Sequence, residues 1–160
     1  MALRLFQKGA KHNASNKNHN REEVTFTEIA AAEKSEIKVK ENKMSQNISA
    51  MSNINGFIGG CLVDAESGMV IVSEGGGSLD LEVAGAANSE VVKAKLSAMS
   101  SLGLKDAIED ILITLGKQIH LIRPLAKDPQ VFLYVALDRK SANLALARIE
   151  LKKIESGIEI

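Results

Sequence analysis

The sequence has no tryptophan and contains one cysteine, one tyrosine, two prolines and four phenylalanines among its 160 residues. A single cysteine, Cys61, excludes a disulfide within the chain and a thiolate zinc cluster, so we expect it to be a small buried apolar side chain in a reducing compartment. The apolar runs are much shorter than the ~20 residues that a membrane-spanning helix needs. We therefore predict no membrane span. Hydrophobic residues nevertheless make up 45% of the chain, and because aromatic residues are few, the core should consist of Ala, Val, Ile, Leu and Met.

The charges balance overall but are unevenly placed. Residues 1–43 hold nine basic and six acidic residues, which leaves the rest of the chain with an excess of three negative charges. A mildly acidic folded region argues against nucleic-acid binding, because contacts to phosphates need basic residues. The stretch KHNASNKNHNREE is polar and rich in Asn, so we expect residues 1–43 to form a flexible polar tail. Its basic opening, MALRLFQKGAK, fits a disordered start, a membrane-surface or partner-docking peptide, or an organelle presequence.

Hydrophobic spacing from Met44 onward predicts alternating groups of helices and strands. Met44, Ile48 and Met51 share one side of a helix that ends near residue 54. Residues 56–73 predict a β-hairpin, with Gly68 supplying the positive φ of its turn. A long helix over residues 80–102 follows, with Ser78 or Asp80 as its N-cap. Its predicted core face consists of Ala84, Ala87, Val91, Ala98 and Leu102.

The second half of the chain predicts three strands and a last helix. The strands cover residues 107–115, 118–125 and 130–137, and the helix covers residues 141–156 with Leu144, Ala147, Leu151 and Ile154 on one stripe. The element order is therefore α-β-β-α-β-β-β-α. The layer rule then predicts an α+β fold, a five-stranded antiparallel sheet with helices packed on it.

Three consecutive glycines, Gly75, Gly76 and Gly77, raise the question of a phosphate-binding loop. The pattern GxxxxGK[ST] is absent, and the nearest following lysine, Lys93, lies ~20 Å along the helix from Asp80 at about 1.5 Å per residue. Carboxylates flank the loop and repel a phosphate. We therefore interpret the loop as a flexible connection between strand and helix, with a nucleotide-binding enzyme as the weaker alternative.

The remaining reactive side chains do not assemble a reaction centre in the sequence. His120 is alone in a strand, which is typical of a partly exposed or hydrogen-bonded structural histidine, and the other two histidines lie in the tail. Glu109 and Asp110 are adjacent in a strand, so their side chains point to opposite faces and cannot share a proton. The pattern favours a binding module with no catalytic residue, cofactor or metal.

Two stretches resemble a known family. GFIGGCLVDAESGMVIVS at residues 56–73 is similar to the first hairpin of the roadblock (dynein light chain) domain, and VALDRKSANLALARIEL at residues 135–151 is similar to its last strand and closing helix. The resemblance covers residues 44–155 and leaves residues 156–160 as a short C-terminal tail. It implies a bacterial-type member with sheet order 2-1-5-4-3 and a profilin-like layered architecture.

The resemblance also implies a dimer, with itself or with a related roadblock protein, in which the third strands pair and the second helices pack together. The predicted interface residues lie on the second helix and the third strand and are Ala86, Ser89, Lys93, Ser97, Ser100, Ile108, Asp110, Leu112 and Thr114. Family members are adaptors in motor complexes, or platforms and regulators for small Ras-like GTPases, which implies a non-catalytic cytoplasmic scaffold that binds or regulates such a GTPase. A small-molecule sensor with a pocket between sheet and helices is the alternative of a different class.

Overall fold

The computed structural model describes residues 26–159 as three helices, a short 3₁₀ helix and five strands. The elements in chain order are α1 (Phe26–Ser49), the 3₁₀ helix (Ala50–Asn53), β1 (Phe57–Asp64), β2 (Val70–Gly75), α2 (Leu81–Ser101), β3 (Ile111–Thr114), β4 (Gln118–Pro124), β5 (Val131–Asp138) and α3 (Leu144–Ser156). The order and the α+β class agree with the prediction from the sequence.

All strand pairs are antiparallel, and the sheet order is β2-β1-β5-β4-β3. This confirms the order 2-1-5-4-3. The central strands β1 and β5 pair along their length, with Cys61 opposite Tyr134. The strands β2 and β3 are therefore the two edges of the sheet.

Alternation along β5 divides the core into two layers. Leu133, Val135 and Leu137 pack on one side of the sheet with residues from α1 and α3. Phe132 and Tyr134, with the other parity, pack on the opposite side with residues from α2. Because both faces are covered, β5 is a nearly continuous apolar run instead of an alternating one.

The first helix differs from the prediction, since it begins at Phe26 and not at Met44. Residues 26–43 are exposed, and the helix reaches the core only near its end, at Ile48. The described part of the predicted flexible tail is thus helical, because its Ala, Glu and Lys residues favour a helix without tertiary contacts. Residues 1–25 of that tail lie outside the described residues.

The predicted C-terminal tail also differs in part. Ile158 is 2% exposed and belongs to the core shared by α1 and α3. The Asn47 side chain donates to the Gly157 carbonyl at 2.6 Å, and Lys43 Nζ lies 2.6 Å from Glu159 Oε1. The end of the described chain is therefore fixed against α1.

Two predictions about α2 and β3 need correction. The buried residues of α2 are Leu81, Gly85, Asn88, Ser89, Val92 and Met99. The predicted core face is therefore wrong for Ala87, Ala98 and Leu102, which are exposed, whereas Ala84 and Val91 are half-buried against the core. The strand β3 is shorter than residues 107–115, since residues 107–110 approach it without ladder pairing.

Candidate interaction surface

The three glycines adopt positive φ angles of 68°, 103° and 54° at Gly75, Gly76 and Gly77. The Gly76 amide donates to the Ile58 carbonyl at 2.9 Å. A Cβ atom added to Gly59 would lie 2.6 Å from Gly76 Cα. The loop is therefore packed against β1, and the amide at its centre is already engaged within the chain. This tight packing differs from the flexible connection expected from the sequence.

The residues around this loop stabilise the start of α2. Asp80 is its N-cap and accepts from the Val83 amide at 3.1 Å, which decides between the two predicted caps. Glu74 accepts from the Ser49 hydroxyl at 2.9 Å and so joins β2 to α1. Both carboxylates have structural partners next to the loop.

Cys61 lies fully buried in β1, as predicted. Burial and, to a smaller extent, the charge of Glu82 raise the pKa of its thiol to about 12. A thiolate is the reactive form of cysteine, so this environment leaves Cys61 unreactive.

His120 is held between two side chains of the sheet. Its Nε2 lies 2.9 Å from Gln118 Oε1, which can only accept, so Nε2 carries the proton and Nδ1 accepts from the Tyr134 hydroxyl at 3.2 Å. Burial lowers the pKa of His120, which favours this neutral form. The geometry confirms a hydrogen-bonded structural histidine. Within residues 26–159, no group of His, Cys, Asp and Glu could hold a metal ion.

The outer edge of β3 has no strand paired with it in the part of the chain that the structure describes. The Leu115 amide donates to the Gln118 carbonyl at 2.8 Å, so Leu115 and Gln118, the first residue of β4, form a hydrogen-bonded pair. Hydrogen-bonded and non-hydrogen-bonded pairs alternate along an antiparallel ladder. The backbone N–H and C=O groups of Leu112 and Thr114 therefore point outward, to the free edge.

The predicted interface residues on α2 fall into two groups. Ala86, Lys93, Ser97 and Ser100 are exposed. Ser89 is only 2% exposed, and its hydroxyl donates to the Ala86 carbonyl at 2.7 Å. Ser89 thus packs within the chain, next to the β1–β2 turn, and is not free to contact a partner.

The predicted interface residues around β3 are also divided. Leu112 and Thr114 are exposed, and Ile108 is half-buried. The side chain of Asp110 is 11% exposed, and its two oxygens accept from Nε and Nη2 of Arg148, each at 2.8 Å. This bidentate bond raises the pKa of Arg148. The sequence did not single out Arg148 as a partner, because 38 residues separate it from Asp110.

Exposed apolar side chains also occur on α2 and just after it, and α2 packs on one face of the sheet. Leu96, Leu102 and Leu104 are exposed along the second half of α2 and the segment after it. Ile111 and Ile113 point to the α2 side of the sheet and are half-buried. We call the outer edge of β3 together with the exposed second half of α2 the β3–α2 surface. It combines free backbone groups with apolar area, which suits association with another protein.

The comparisons with known proteins identify the fold. No protein-family model and no curated protein matches the chain. Among solved structures, MglB of Myxococcus xanthus matches with a TM-score of 0.66 at 18% identity, over 74% of this chain and 86% of that chain. A Roadblock/LC7 domain from Streptomyces avermitilis matches with a TM-score of 0.60 at 16% identity, over 74% and 92%. The gliding protein MglB from Thermus thermophilus matches with a TM-score of 0.63 at 11% identity, over 74% and 87%.

These likenesses show that the chain has a bacterial roadblock-type fold, as the two sequence stretches predicted. Among the described residues, none of the helices combines the length and the apolar character required to cross a membrane.

Proposed function

We propose that this protein is a non-catalytic, dimeric, cytoplasmic scaffold that binds or regulates a small Ras-like GTPase. The fold is the one found in the MglB structures, and the roadblock resemblance implies GTPase regulation. The observation that carries the proposal is the β3–α2 surface, which comprises an unpaired strand edge and exposed apolar residues of α2.

The free edge favours a second copy of the chain as the first partner. Two β3 strands related by a two-fold axis pair antiparallel, and each supplies the outward groups of Leu112 and Thr114. The pairing would join two five-stranded sheets into one and remove an edge that otherwise promotes aggregation. In the same contact, the exposed second half of α2 in each chain would bury its apolar side chains against the other chain.

A proline at Thr114 tests this dimer. Thr114→Pro removes an outward N–H but none that β3 donates to β4, since Thr114 lies in a non-hydrogen-bonded pair. In the proposed dimer each Thr114 N–H donates one hydrogen bond to the other chain, so the variant loses two of these bonds per dimer. At ~0.5 to 1.5 kcal/mol each, we expect the dimer Kd to rise by about 5- to 150-fold. Thr114→Val keeps the N–H and is the matched control.

The measurement is light scattering after size exclusion over a range of concentrations. We expect the wild type and Thr114→Val to give twice the chain mass of 17.2 kDa, and Thr114→Pro to shift toward one chain mass. A monomeric wild type at micromolar concentration would refute the dimer. A Thr114→Pro dimer of unchanged Kd would show that β3 is not the contact.

Regulation of a GTPase is tested separately. The full chain is added to a panel of bacterial small Ras-like GTPases loaded with GDP or with a GTP analogue, and binding and phosphate release are measured. We expect nucleotide-dependent binding to at least one of them, and weaker binding by Thr114→Pro. A second protein without residues 1–25 determines whether the N-terminal segment carries the recognition. Absence of binding across the panel would contradict the GTPase proposal and leave the dimer test unaffected.

The glycine loop gives no support to a nucleotide-using enzyme. Its central amide is bonded within the chain and its flanks are acidic. We expect nucleotide with magnesium to leave the melting temperature unchanged, and a reproducible rise would revive that alternative.

A further inference from the structure

Two adjoining cavities open where β4 ends beside the C-terminal end of α3. Their volumes are about 400 and 380 Å³. The residues that line both are Arg123, Leu125, Ala126 and Glu155. We call these two cavities the Arg123 cleft. They lie at the end of the sheet where the chain passes from β4 to β5.

Arg123 has hydrogen-bond donors to spare in this cleft. Its side chain is 8% exposed, and its Nε donates to Glu155 Oε2 at 2.6 Å. The other oxygen of Glu155 accepts from the Ala126 amide at 2.7 Å. The nearest further carboxylate, on Glu109, lies 3.9 Å from Nη1, which is too long for a hydrogen bond. Among residues 26–159, no acceptor bonds the terminal guanidinium nitrogens, and neither is sealed from solvent.

The surroundings of Arg123 combine an apolar floor with a basic rim. Leu125 and Ile158 are buried and line the larger cavity. Lys127 and Lys152 lie exposed at its border. In the larger cavity three basic residues thus face one carboxylate, Glu155, an excess of two positive charges. The carboxylates of Asp106 and Glu109 line the smaller cavity, so the positive excess is confined to the larger one. That excess favours an anion and disfavours a cation.

We propose that the larger cavity of the Arg123 cleft binds a small aliphatic carboxylate. The carboxylate would accept from the free terminal nitrogens of Arg123, since guanidinium and carboxylate form charge-assisted, bidentate hydrogen bonds. The alkyl chain would cover Leu125 and Ile158. A cavity of about 400 Å³ falls in the size range of small-ligand sites. Inorganic phosphate lacks the apolar part that this floor would bury. This ligand site does not depend on the proposed GTPase binding.

The test is an NMR titration of the full-length ¹⁵N-labelled protein with sodium hexanoate. We expect saturable shifts of amide signals in residues 125–127 and 156–158. Hexan-1-ol has the same alkyl chain without the charge and hexylamine has the opposite charge, so both should bind at least 10-fold more weakly. Equal affinity for hexan-1-ol, or shifts spread over the whole surface, would overturn the proposal.

Two variants keep the interpretation specific. Ala126→Phe fills the cleft from an exposed position without changing its charge, and we expect hexanoate to bind at least 10-fold more weakly. Its matched control is Ala145→Phe, at an exposed position of α3 that does not line the cleft, where binding should stay unchanged. Lys152→Glu reverses one rim charge in an exposed side chain and should also weaken binding. Wild-type affinity in both cleft variants would refute the site.

Discussion

Replacing Gly76 by alanine tests whether the glycine-rich loop is a packed part of the fold. Gly76 has φ of 103°, beyond the left-handed helical region, and an added Cβ would lie 2.9 Å from the Leu79 carbonyl oxygen and 3.1 Å from Leu81 Cδ1. Gly77 supplies a matched control in the same loop. Its φ of 54° is left-handed helical, and an added Cβ would meet nothing within 4 Å.

The structure gives different expected costs for the two substitutions. A left-handed conformation costs an alanine ~1 to 2 kcal/mol, and the less flexible unfolded chain returns ~0.4 to 1 kcal/mol, so Gly77→Ala should cost about 1 kcal/mol. Gly76→Ala carries that cost and also forces the backbone oxygen of Leu79 to move. Overpacking of this kind adds ~1 to 3 kcal/mol. We therefore expect Gly76→Ala to lower the free energy of unfolding by about 2 to 4 kcal/mol.

Urea denaturation followed by far-ultraviolet circular dichroism, at one fixed protein concentration, measures both variants. We expect the midpoint to fall further for Gly76→Ala than for Gly77→Ala, with equal m values. Equal midpoints for the two variants would refute the packed loop and restore the flexible connection.

Three further predictions concern a buried thiol, a carboxylate in a turn and an ion pair. The Cys61 thiol, buried and with its pKa raised to about 12, should react with a disulfide reagent at pH 8 only in urea, and rapid reaction of the folded protein would contradict its burial. The Asp138 carboxylate accepts from the Ser141 hydroxyl and amide, which lowers its pKa. These bonds therefore stabilise the folded protein fully above the unfolded pKa of ~3.9, and the stabilisation is lost as the pH falls through the folded pKa. Ser141→Ala should raise the pKa of Asp138 in an NMR titration. The pKa of Asp64, which accepts from the Ser67 amide and hydroxyl in the β1–β2 turn, should stay unchanged. Arg148→Gln and Asp110→Asn should show a coupling of ~0.5 to 1 kcal/mol in a double-mutant cycle, and no coupling would mean that their bidentate bond adds no stability.

The arrangement of strands was predictable because its signals are local. Alternation and turn glycines define each strand, and the roadblock resemblance supplies their order. The stripe on α3 was also confirmed, with Ala147, Leu151 and Ile154 buried, because these residues recur at the helical spacing that places them on one side. Asn143 caps this helix by accepting from the Leu146 amide at 3.1 Å.

The face of α2 was not predictable from spacing alone. Small residues occur all round this helix, so several stripes look equally apolar. Burial is decided instead by close approach: a Cβ added to Gly85 would lie 2.8 Å from Val70 Cγ2. A glycine that allows such contact has no hydrophobic signal of its own, and it marks the side of α2 that meets the sheet. Helix spacing therefore placed Ala87 and Ala98 inward, although the structure exposes them.

The candidate sites depended on contacts that no local pattern reveals. Arg123 and Glu155 lie 32 residues apart, and each has an ordinary sequence neighbourhood. Nothing in either stretch indicates that they meet, or that Arg123 keeps free donors beside Leu125. The edge of β3 was recognisable as a strand, but the direction of its free groups follows from one bond, from Leu115 to Gln118. Without that register, a proline variant could not be directed at the outer edge alone, and the dimer proposal would lack a selective test.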